Sequence, residues 1–217
     1  MLSLLKSRVM AKPSATARAR KIKLIIFDVD GVLTDGKIWI FPAPGGTTTA
    51  NPSVLEKSAQ HGQSGFGLHS ASLIEAKGFH AHDGTAISFA RLSGIKTGII
   101  TKRISETVAL RARDLKIDHV HQGIQDKATI FLQILKKDGI DADQAAFVGD
   151  DVIDLPAMRR CGLAIAVKNA RPEVKAEAHW ITPHSGGDGA ARDAVEYILK
   201  AQGKWKQAVE EYISERS

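Results

Sequence analysis

The segment Asp28-Val29-Asp30-Gly31 carries two carboxylates two residues apart, directly behind the apolar run Leu24–Phe27. Four successive apolar residues predict a short buried strand, and Gly31 lets the backbone turn away after it. In parallel α/β sheets, ligands bind at the carboxyl ends of strands. Paired carboxylates there can hold a hard cation and supply a nucleophile. The alternative is a surface loop with a helix-capping aspartate, which the preceding strand disfavours.

Further polar side chains follow predicted strands along the chain. They are Thr101 after the strand 96–100, Lys127 after the strand 119–121, and Asp150, Asp151 and Asp154 after the strand 145–148. Singly, each has an ordinary explanation, such as a helix cap or a surface lysine. Together they supply what phosphoryl transfer needs: carboxylates for a cation, and a hydroxyl and an ammonium for the phosphate oxygens.

Apolar runs alternate with amphipathic stretches through most of the chain, which predicts a parallel sheet with helices packed on it. Further strands are expected at 38–41, 73–79 and 163–167, and helices at 85–93, 105–115, 127–138, 188–202 and 205–213. Residues 42–67 are rich in Gly, Pro, Thr, Ser and Asn and predict a long loop or insertion.

The length of 217 residues suits one well-cored domain. The single cysteine, Cys161, cannot form an internal disulfide and fits a reducing compartment, so we expect a cytoplasmic protein. No apolar run is long enough for a membrane span.

The net charge of +6 comes from the N-terminal segment, because residues 1–23 hold seven basic residues and no acidic ones. The remaining chain has 23 basic against 24 acidic residues, which argues against a nucleic-acid-binding face. We expect a flexible tail over residues 1–20. A transit-like leader, or a segment that touches anionic lipid, is the alternative.

The order D-x-D, Thr, Lys, G-D-D-x-x-D resembles the haloacid dehalogenase superfamily of phosphohydrolases. Within it, the chain is similar to the capless 3-deoxy-D-manno-octulosonate 8-phosphate phosphatases of lipopolysaccharide biosynthesis. The stretches that carry this likeness are DVDGVLTDG (28–36), HDG (82–84), IITKR (99–103), HQG followed by Lys127, FVGDDVIDLPAM (147–158), GLAIAV (162–167), GGDGAARD (186–193) and ILKAQGKW (198–205).

The resemblance implies an α/β fold: a Rossmannoid three-layer sandwich with a central parallel sheet and no large cap domain. A β-hairpin after the first strand would carry the insertion 42–67. The phosphatase domain would span 21–204 and a C-terminal helical arm 205–217. The resemblance also implies a homotetramer in which neighbouring subunits cover the site. The insertion is then a lid, an altered subunit contact or a disordered surface loop.

The resemblance further implies Mg²⁺-dependent hydrolysis of an anionic sugar phosphate through an aspartyl-phosphate. Asp28 would be the nucleophile and Asp30 the general acid and base. Thr101 and Lys127 would hold the phosphate. The metal ligands would be Asp28, Asp30 and Asp150, with Asp151 and Asp154 orienting the metal shell.

The implied substrate-binding residues are His80, His82, Asp83, Gly84, Arg103 and Arg111. The loop 80–84 departs from the family pattern N-x-R-D-G, since His82 replaces an arginine with a shorter, partly charged group. Alternatively, His80 and His82 are ordinary polar residues of a strand edge.

Three other functions compete with octulosonate 8-phosphate hydrolysis. The same chemistry on a nonulosonate 9-phosphate would reveal itself by phosphate release from that sugar. A phosphomutase would move phosphate within a sugar. A non-catalytic oligomeric partner of a sugar-activating transferase would release none, but it would have no need of the five groups Asp28, Asp30, Thr101, Lys127 and Asp150.

Overall fold

The computed structural model describes residues 13–42, 66–67 and 73–215. Its centre is a sheet of six parallel strands in the order β10-β9-β8-β1-β5-β7. These strands are β1 (Leu24–Phe27), β5 (Lys96–Ile100), β7 (His119–His121), β8 (Ala145–Gly149), β9 (Leu163–Ala166) and β10 (Trp180–Ile181). The predicted α/β fold with a central parallel sheet is confirmed.

Helices flank the sheet. They are α1 (Ala15–Ala19), α2 (Ala81–Leu92), α3 (Glu106–Asp114), α4 (Lys127–Asp138), α5 (Leu155–Met158), α6 (Pro172–Glu177), α7 (Ala190–Ala201) and α8 (Trp205–Ser214). All residues of β1, β8 and β9 are buried, as expected for central strands covered on both faces. Helix α4 shows how the sequence sets its ends: Asp126 accepts a hydrogen bond from the backbone of Thr129, and Gly139 ends the helix at φ 64°.

The order of the strands places two carboxyl ends side by side at the point where the sheet changes direction. From β1 the chain continues outward through β5 and β7, and it then returns to the other side of β1 for β8, β9 and β10. Phe27 pairs with Val148 across this switch point, so Asp28 and Asp150 leave the sheet next to each other. Ligands of open α/β sheets bind at such a crevice.

A β-hairpin outside the main sheet joins β2 (Trp39–Pro42) to β4 (Leu73–Ala76), antiparallel, with Ile40 opposite Glu75. Strand β3 (Phe66–Gly67) pairs in parallel with β6 (Arg103–Ile104). The interior of the predicted insertion, 43–65, lies outside the described residues, as do residues 1–12, 68–72 and 216–217.

The predicted flexibility of the tail is wrong for residues 15–19, which form α1. Ser14 caps this helix, and Ala19 is fully buried. Arg18 donates a hydrogen bond to the carbonyl oxygen of Gly162 at 2.7 Å. Small apolar side chains and polar contacts such as this one therefore hold the segment on the domain.

The predicted C-terminal arm is helical, but it belongs to the packed body. Ala208 of α8 is buried, and the rings of Trp205 and Tyr212 lie edge-to-face on Phe89 at centroid distances of 5.2 and 4.9 Å. Aromatic burial of this kind stabilises helix docking. Among the described residues, no helix has the length and apolar character needed to cross a membrane.

Candidate active site

Three carboxylates converge at the carboxyl ends of β1 and β8. Ligand oxygens of Asp28, Asp150 and Asp154 lie within 4.8 Å of one another. Lys127, at the start of α4, places its Nζ 2.8 Å from Oδ1 of Asp28 and 2.6 Å from Oδ1 of Asp154. The side chains of Lys127 and Asp154 are almost completely buried. The buried ammonium of Lys127 thus forms ion pairs with two of the three clustered carboxylates.

The site carries an excess of negative charge. Burial, with the charge of Asp154, raises the pKa of Asp28 to about 7, although Lys127 opposes the shift. Burial, with the charges of Asp28 and Asp154, raises the pKa of Asp150 to about 8. Burial also disfavours the ammonium of Lys127, but the two carboxylates outweigh it and raise the Lys127 pKa. Another cation at the cluster would relieve this imbalance.

The donor set fits a hard divalent cation. Oδ1 of Asp150 is buried and has no hydrogen-bond partner, which leaves it open to a metal. Gly31 has φ 91°, and a Cβ at this position would collide with the Asp150 carboxylate, so only glycine keeps that space free. Both oxygens of Asp154 are already engaged, by Lys127 and by the backbone N–H groups of Asp150 and Asp151. Asp154 therefore orients the cluster more than it offers a ligand.

The side chain of Asp30 does not join this cluster. Its Oδ1 accepts a hydrogen bond from Nζ of Lys77, which follows β4. Asp151, another predicted member of the metal shell, turns its Oδ1 onto its own loop, where it accepts from the N–H of Val152 at 2.7 Å. Of the carboxylates expected as metal ligands, the structure thus brings together Asp28 and Asp150.

Thr101 lies where β5 ends, beside β1. It is buried, and its backbone N–H donates to the carbonyl oxygen of His121 at 2.9 Å. Because β5 pairs with β1 in parallel, Thr101 follows the strand neighbouring Asp28. Thr101 therefore lies at the same edge of the sheet as Asp28, and its predicted contact with phosphate stays a prediction.

The Gly-Gly loop at 186–187 supports the turn after Asp30. Gly186 donates its N–H to Oδ1 of Asn169 at 2.7 Å, and Nδ2 of Asn169 donates to the carbonyl oxygen of Gly31 at 3.1 Å. A Cβ on Gly186 would overlap the backbone of Gly31. This contact fixes the backbone directly after Asp30, and only a glycine permits it.

The predicted substrate residues divide into two groups. His80 and His82 lie at the start of α2 rather than on a strand edge, with ring centroids 4.9 Å apart and His82 exposed. Asp83 is buried and accepts from the N–H of Arg192 at 2.8 Å. Asp83 thus joins α2 to α7, and its predicted substrate role stays a prediction. Gly84 is buried as well, where a side chain would collide with Arg111.

The two predicted arginines have partners inside the protein. Arg111 pairs with Asp114 at 2.7 Å, and its guanidinium lies 6.0 Å from the ring centroid of Phe79. Nη2 of Arg103 donates to Oε2 of Glu75 at 2.8 Å, and its Nε lies 4.0 Å from Oδ2 of Asp30. Both side chains are only partly exposed.

Sequence reasoning missed Glu75, Lys77 and Asn169. Lys77 directly follows β4 and is buried, which is rare for lysine. Its burial depends on the tertiary packing and cannot be predicted from the local sequence. Its separation from Asp30 spans the insertion, so local spacing offered no signal. Asn169 is equally remote in sequence from the Gly31 turn that it contacts.

Comparisons with known proteins agree with this geometry. A family model described as haloacid dehalogenase-like hydrolase matches residues 88–192. The chain is 36% identical over 192 residues to the 3-deoxy-D-manno-octulosonate 8-phosphate phosphatase KdsC of Escherichia coli K12, covering 88% of this chain and 87% of the relative.

Solved structures give the same picture. The phosphatase of that name from Moraxella catarrhalis, in complex with a magnesium ion, a phosphate ion and a KDO molecule, matches with a TM-score of 0.74 and 34% identity, over 91% of this chain and 97% of that chain. The phosphatase from Yersinia pestis matches with a TM-score of 0.72 and 33% identity, over 88% of each chain.

Proposed function

The chain belongs to the 3-deoxy-D-manno-octulosonate 8-phosphate phosphatase family of haloacid dehalogenase-like hydrolases, and we propose that it hydrolyses this sugar phosphate to the free sugar acid and phosphate. The observation that carries the proposal is the cluster of Asp28, Lys127 and Asp150 at the strand ends, where a buried carboxylate faces both an ammonium and an open ligand position.

In the proposed reaction an Asp28 oxygen attacks phosphorus and the bond to the sugar oxygen breaks. Asp30 gives its proton to that oxygen and later takes a proton from the water that releases phosphate from Asp28. Splitting one displacement into two in-line steps lowers the barrier of each. Thr101 and Lys127 hold the phosphate oxygens, and Asp154 holds Lys127 in place at 2.6 Å.

Mg²⁺ suits the donor set, because it prefers oxygen ligands and keeps several waters. Asp28 and Asp150 would hold it through their carboxylates, and we assign Asp30 a contribution through its backbone carbonyl. When bound, the ion supplies charge neutralisation for phosphate and keeps Asp28 ionised. Asp151 and Asp154 position the loop that carries Asp150.

We also propose that the protein assembles as a homotetramer and acts in the cytoplasm. The hairpin supports assembly, since Trp39 and Ile40 are each 54% exposed and Phe41 and Ile74 each 46%. Apolar side chains so crowded on a two-stranded hairpin mark a contact surface. The partner that fits is a second copy of this chain. Sedimentation of Ile40→Asp should show smaller species; an unchanged tetramer would place the interface elsewhere.

The test of function is phosphate release from a panel of sugar phosphates, with and without Mg²⁺. The panel includes the octulosonate 8-phosphate, nonulosonate 9-phosphates and aldose phosphates, with EDTA-treated enzyme as a control. We expect Mg²⁺-dependent release that is fastest from the octulosonate 8-phosphate.

Preferential release from a nonulosonate 9-phosphate would keep the chemistry and change the substrate, as His82 in place of an arginine would permit. No release from any sugar phosphate by the folded, Mg²⁺-loaded protein would contradict the proposal and favour a non-catalytic partner.

A further inference from the structure

Behind Asp30 lies a closed group of two acids and two bases. Lys77 donates to Oδ1 of Asp30, and its Nζ lies 3.8 Å from Oε1 of Glu75. Oε2 of Glu75 accepts from Nη2 of Arg103 at 2.8 Å. We call Asp30, Glu75, Lys77 and Arg103 the hairpin network, because two of its members come from the hairpin end at 75–77.

Lys77 is an expensive residue for its place. Its side chain has 0% exposure, and removing an ammonium from water costs several kcal/mol unless partners compensate. An apolar side chain would fill the end of the hairpin without this cost. The partner that compensates for this burial is the carboxylate of Asp30, two residues after Asp28. The buried ammonium therefore contacts a residue of the proposed reaction centre.

The hydrogen-bond chemistry of the pair assigns separate tasks to the two Asp30 oxygens. An ammonium has three donors and no acceptor, so the oxygen facing Lys77 must accept. A proton carried by Asp30 then resides on Oδ2. The nearest Arg103 nitrogen is 4.0 Å from Oδ2, beyond hydrogen-bond range, which leaves that oxygen available to a reacting group.

We propose that Lys77 is a positioning residue for the general acid. It fixes Oδ1 of Asp30 so that Oδ2 presents its proton to the departing sugar oxygen, and Glu75 holds Lys77 in that geometry. This inference rests on the proposed phosphatase function and deepens it. Burial opposes ionisation of Glu75, but hydrogen bonds from Arg103 and Ser105 and the charge of Lys77 outweigh it, so the Glu75 pKa is lowered and its carboxylate stays charged.

The proton balance follows from this assignment. As the Asp28–phosphorus bond forms and the phosphorus–sugar oxygen bond breaks, the proton of Oδ2 passes to the sugar oxygen. In the second step water attacks phosphorus, its proton passes to Oδ2, and the Asp28–phosphorus bond breaks. Lys77 keeps its three protons throughout and touches no reacting atom.

Two substrates with different leaving groups distinguish a positioning role of Lys77 from a purely structural one. A sugar alkoxide needs protonation, whereas 2,4-dinitrophenolate leaves without it. For Lys77→Met we expect kcat for the sugar phosphate to fall about 10²-fold, within the range of general-acid contributions, with KM little changed. The burst of dinitrophenolate from 2,4-dinitrophenyl phosphate reports the first step alone, and this aryl rate should fall less than about 5-fold, since the acid is dispensable in that step. Lys96→Met, which removes the pair with Asp138 far from the site, is the matched control and should change neither rate.

An equal loss in the sugar phosphate rate and in the burst of dinitrophenolate would overturn the positioning role and leave Lys77 a structural residue. If the wild-type enzyme releases phosphate from the aryl ester but from no sugar phosphate, the proposed substrate class is wrong. The positioning role can then still be tested with the double variant Asp30→Asn with Lys77→Met.

Two further variants keep the proposal testable if Lys77→Met does not fold. Asp30→Asn with Lys77→Met removes both charges, so no unpaired ion stays buried. In the Asp30→Asn background, Lys77→Met should cost no further activity on either substrate; a second full loss would show that Lys77 acts elsewhere. Glu75→Gln should lower the sugar phosphate rate severalfold and leave the aryl rate unchanged, and the reverse pattern would contradict the assignment.

Discussion

The strand-end cluster and the hairpin network hold two aspartates only two residues apart in entirely different ways. Asp28 is fixed by the sheet: it follows a fully buried strand, and Lys127 and Asp150 reach it from other strand ends. Asp30 is fixed by an element outside the sheet, through Lys77 of the hairpin.

The residues proposed for attack on phosphorus and for metal binding are thus held by one part of the fold, and the residue proposed for leaving-group protonation by another. The strand-end cluster is built on core strands, and it holds the residues that we propose as nucleophile and metal ligands for any phosphate monoester. The hairpin network depends on a hairpin that lies outside the main sheet. Alteration there would affect leaving-group protonation and substrate choice without disturbing the site that binds phosphate.

The largest effect is expected from Asp28→Asn. An amide cannot form the aspartyl-phosphate, so phosphate release should fall ~10⁴-fold or more. The fold should persist, because the variant removes a buried charge and keeps the shape. The remote, exposed Asp143→Asn serves as a control and should be fully active. A near-normal rate for Asp28→Asn in a phosphate-release assay would contradict the proposed mechanism.

Lys127→Met should damage both stability and activity. It leaves Asp28 and Asp154 buried without their cation, which should cost about 3–5 kcal/mol in the free energy of unfolding. Phosphate release should fall ~10²- to 10³-fold through loss of electrostatic stabilisation. Urea denaturation measures the first effect. Lys21→Met removes an exposed pair with Asp143 and should cost less than about 1 kcal/mol. Equal effects from both lysines would mean that the cluster is not the stabilising centre.

The charge excess of the cluster predicts an unusual pH dependence for the metal-free protein. The folded-state pKa values of Asp28 and Asp150 are raised to about 7 and about 8, so between pH 4 and these values the folded protein keeps protons that the unfolded chain has lost. The free energy of unfolding should therefore fall as pH rises across this window, by up to ~1.4 kcal/mol per unit for each group.

Mg²⁺ competes with those protons, so it should stabilise the protein more at pH 8 than at pH 5. Denaturation curves at both pH values, with and without Mg²⁺, measure this. His121 acts in the opposite direction, since burial lowers its pKa, and comparison with Asp150→Asn removes its contribution. That variant should show a weaker pH slope and little response to Mg²⁺. An identical slope in wild type and variant would exclude Asp150 as its source.

The sequence predicted the sheet-held part of the molecule well, for a physical reason. Short apolar runs such as Leu24–Phe27 favour buried strands, and the carboxyl ends of parallel strands share one edge, which predicts that Asp28 and Asp150 lie close together. Helix α2 begins at Ala81, earlier than the predicted 85, because Asp83 and Gly84 were interpreted as loop residues. Their helical role depends on contacts with Arg192 and Arg111 that no local pattern encodes.

The hairpin network was beyond sequence reasoning, because Lys77 reaches Asp30 across 47 positions of chain. Arg103 was expected to face substrate, and its engagement with Glu75 could be learned only from the structure. Pairings over such separations are fixed by how the hairpin packs, which is a property of the whole fold.

The smallest effect is expected from His82. This side chain is exposed at the start of α2, so its replacement should leave phosphate chemistry intact. For His82→Ala we expect KM for the sugar phosphate to rise severalfold with kcat unchanged, since only uniform binding is lost. His82→Arg restores a planar fork that can pair with a carboxylate at two points, so its KM should fall below that of wild type. A fall in kcat with constant KM would instead place His82 with the catalytic groups, and catalysis would then depend on residues beyond the strand-end cluster and the hairpin network.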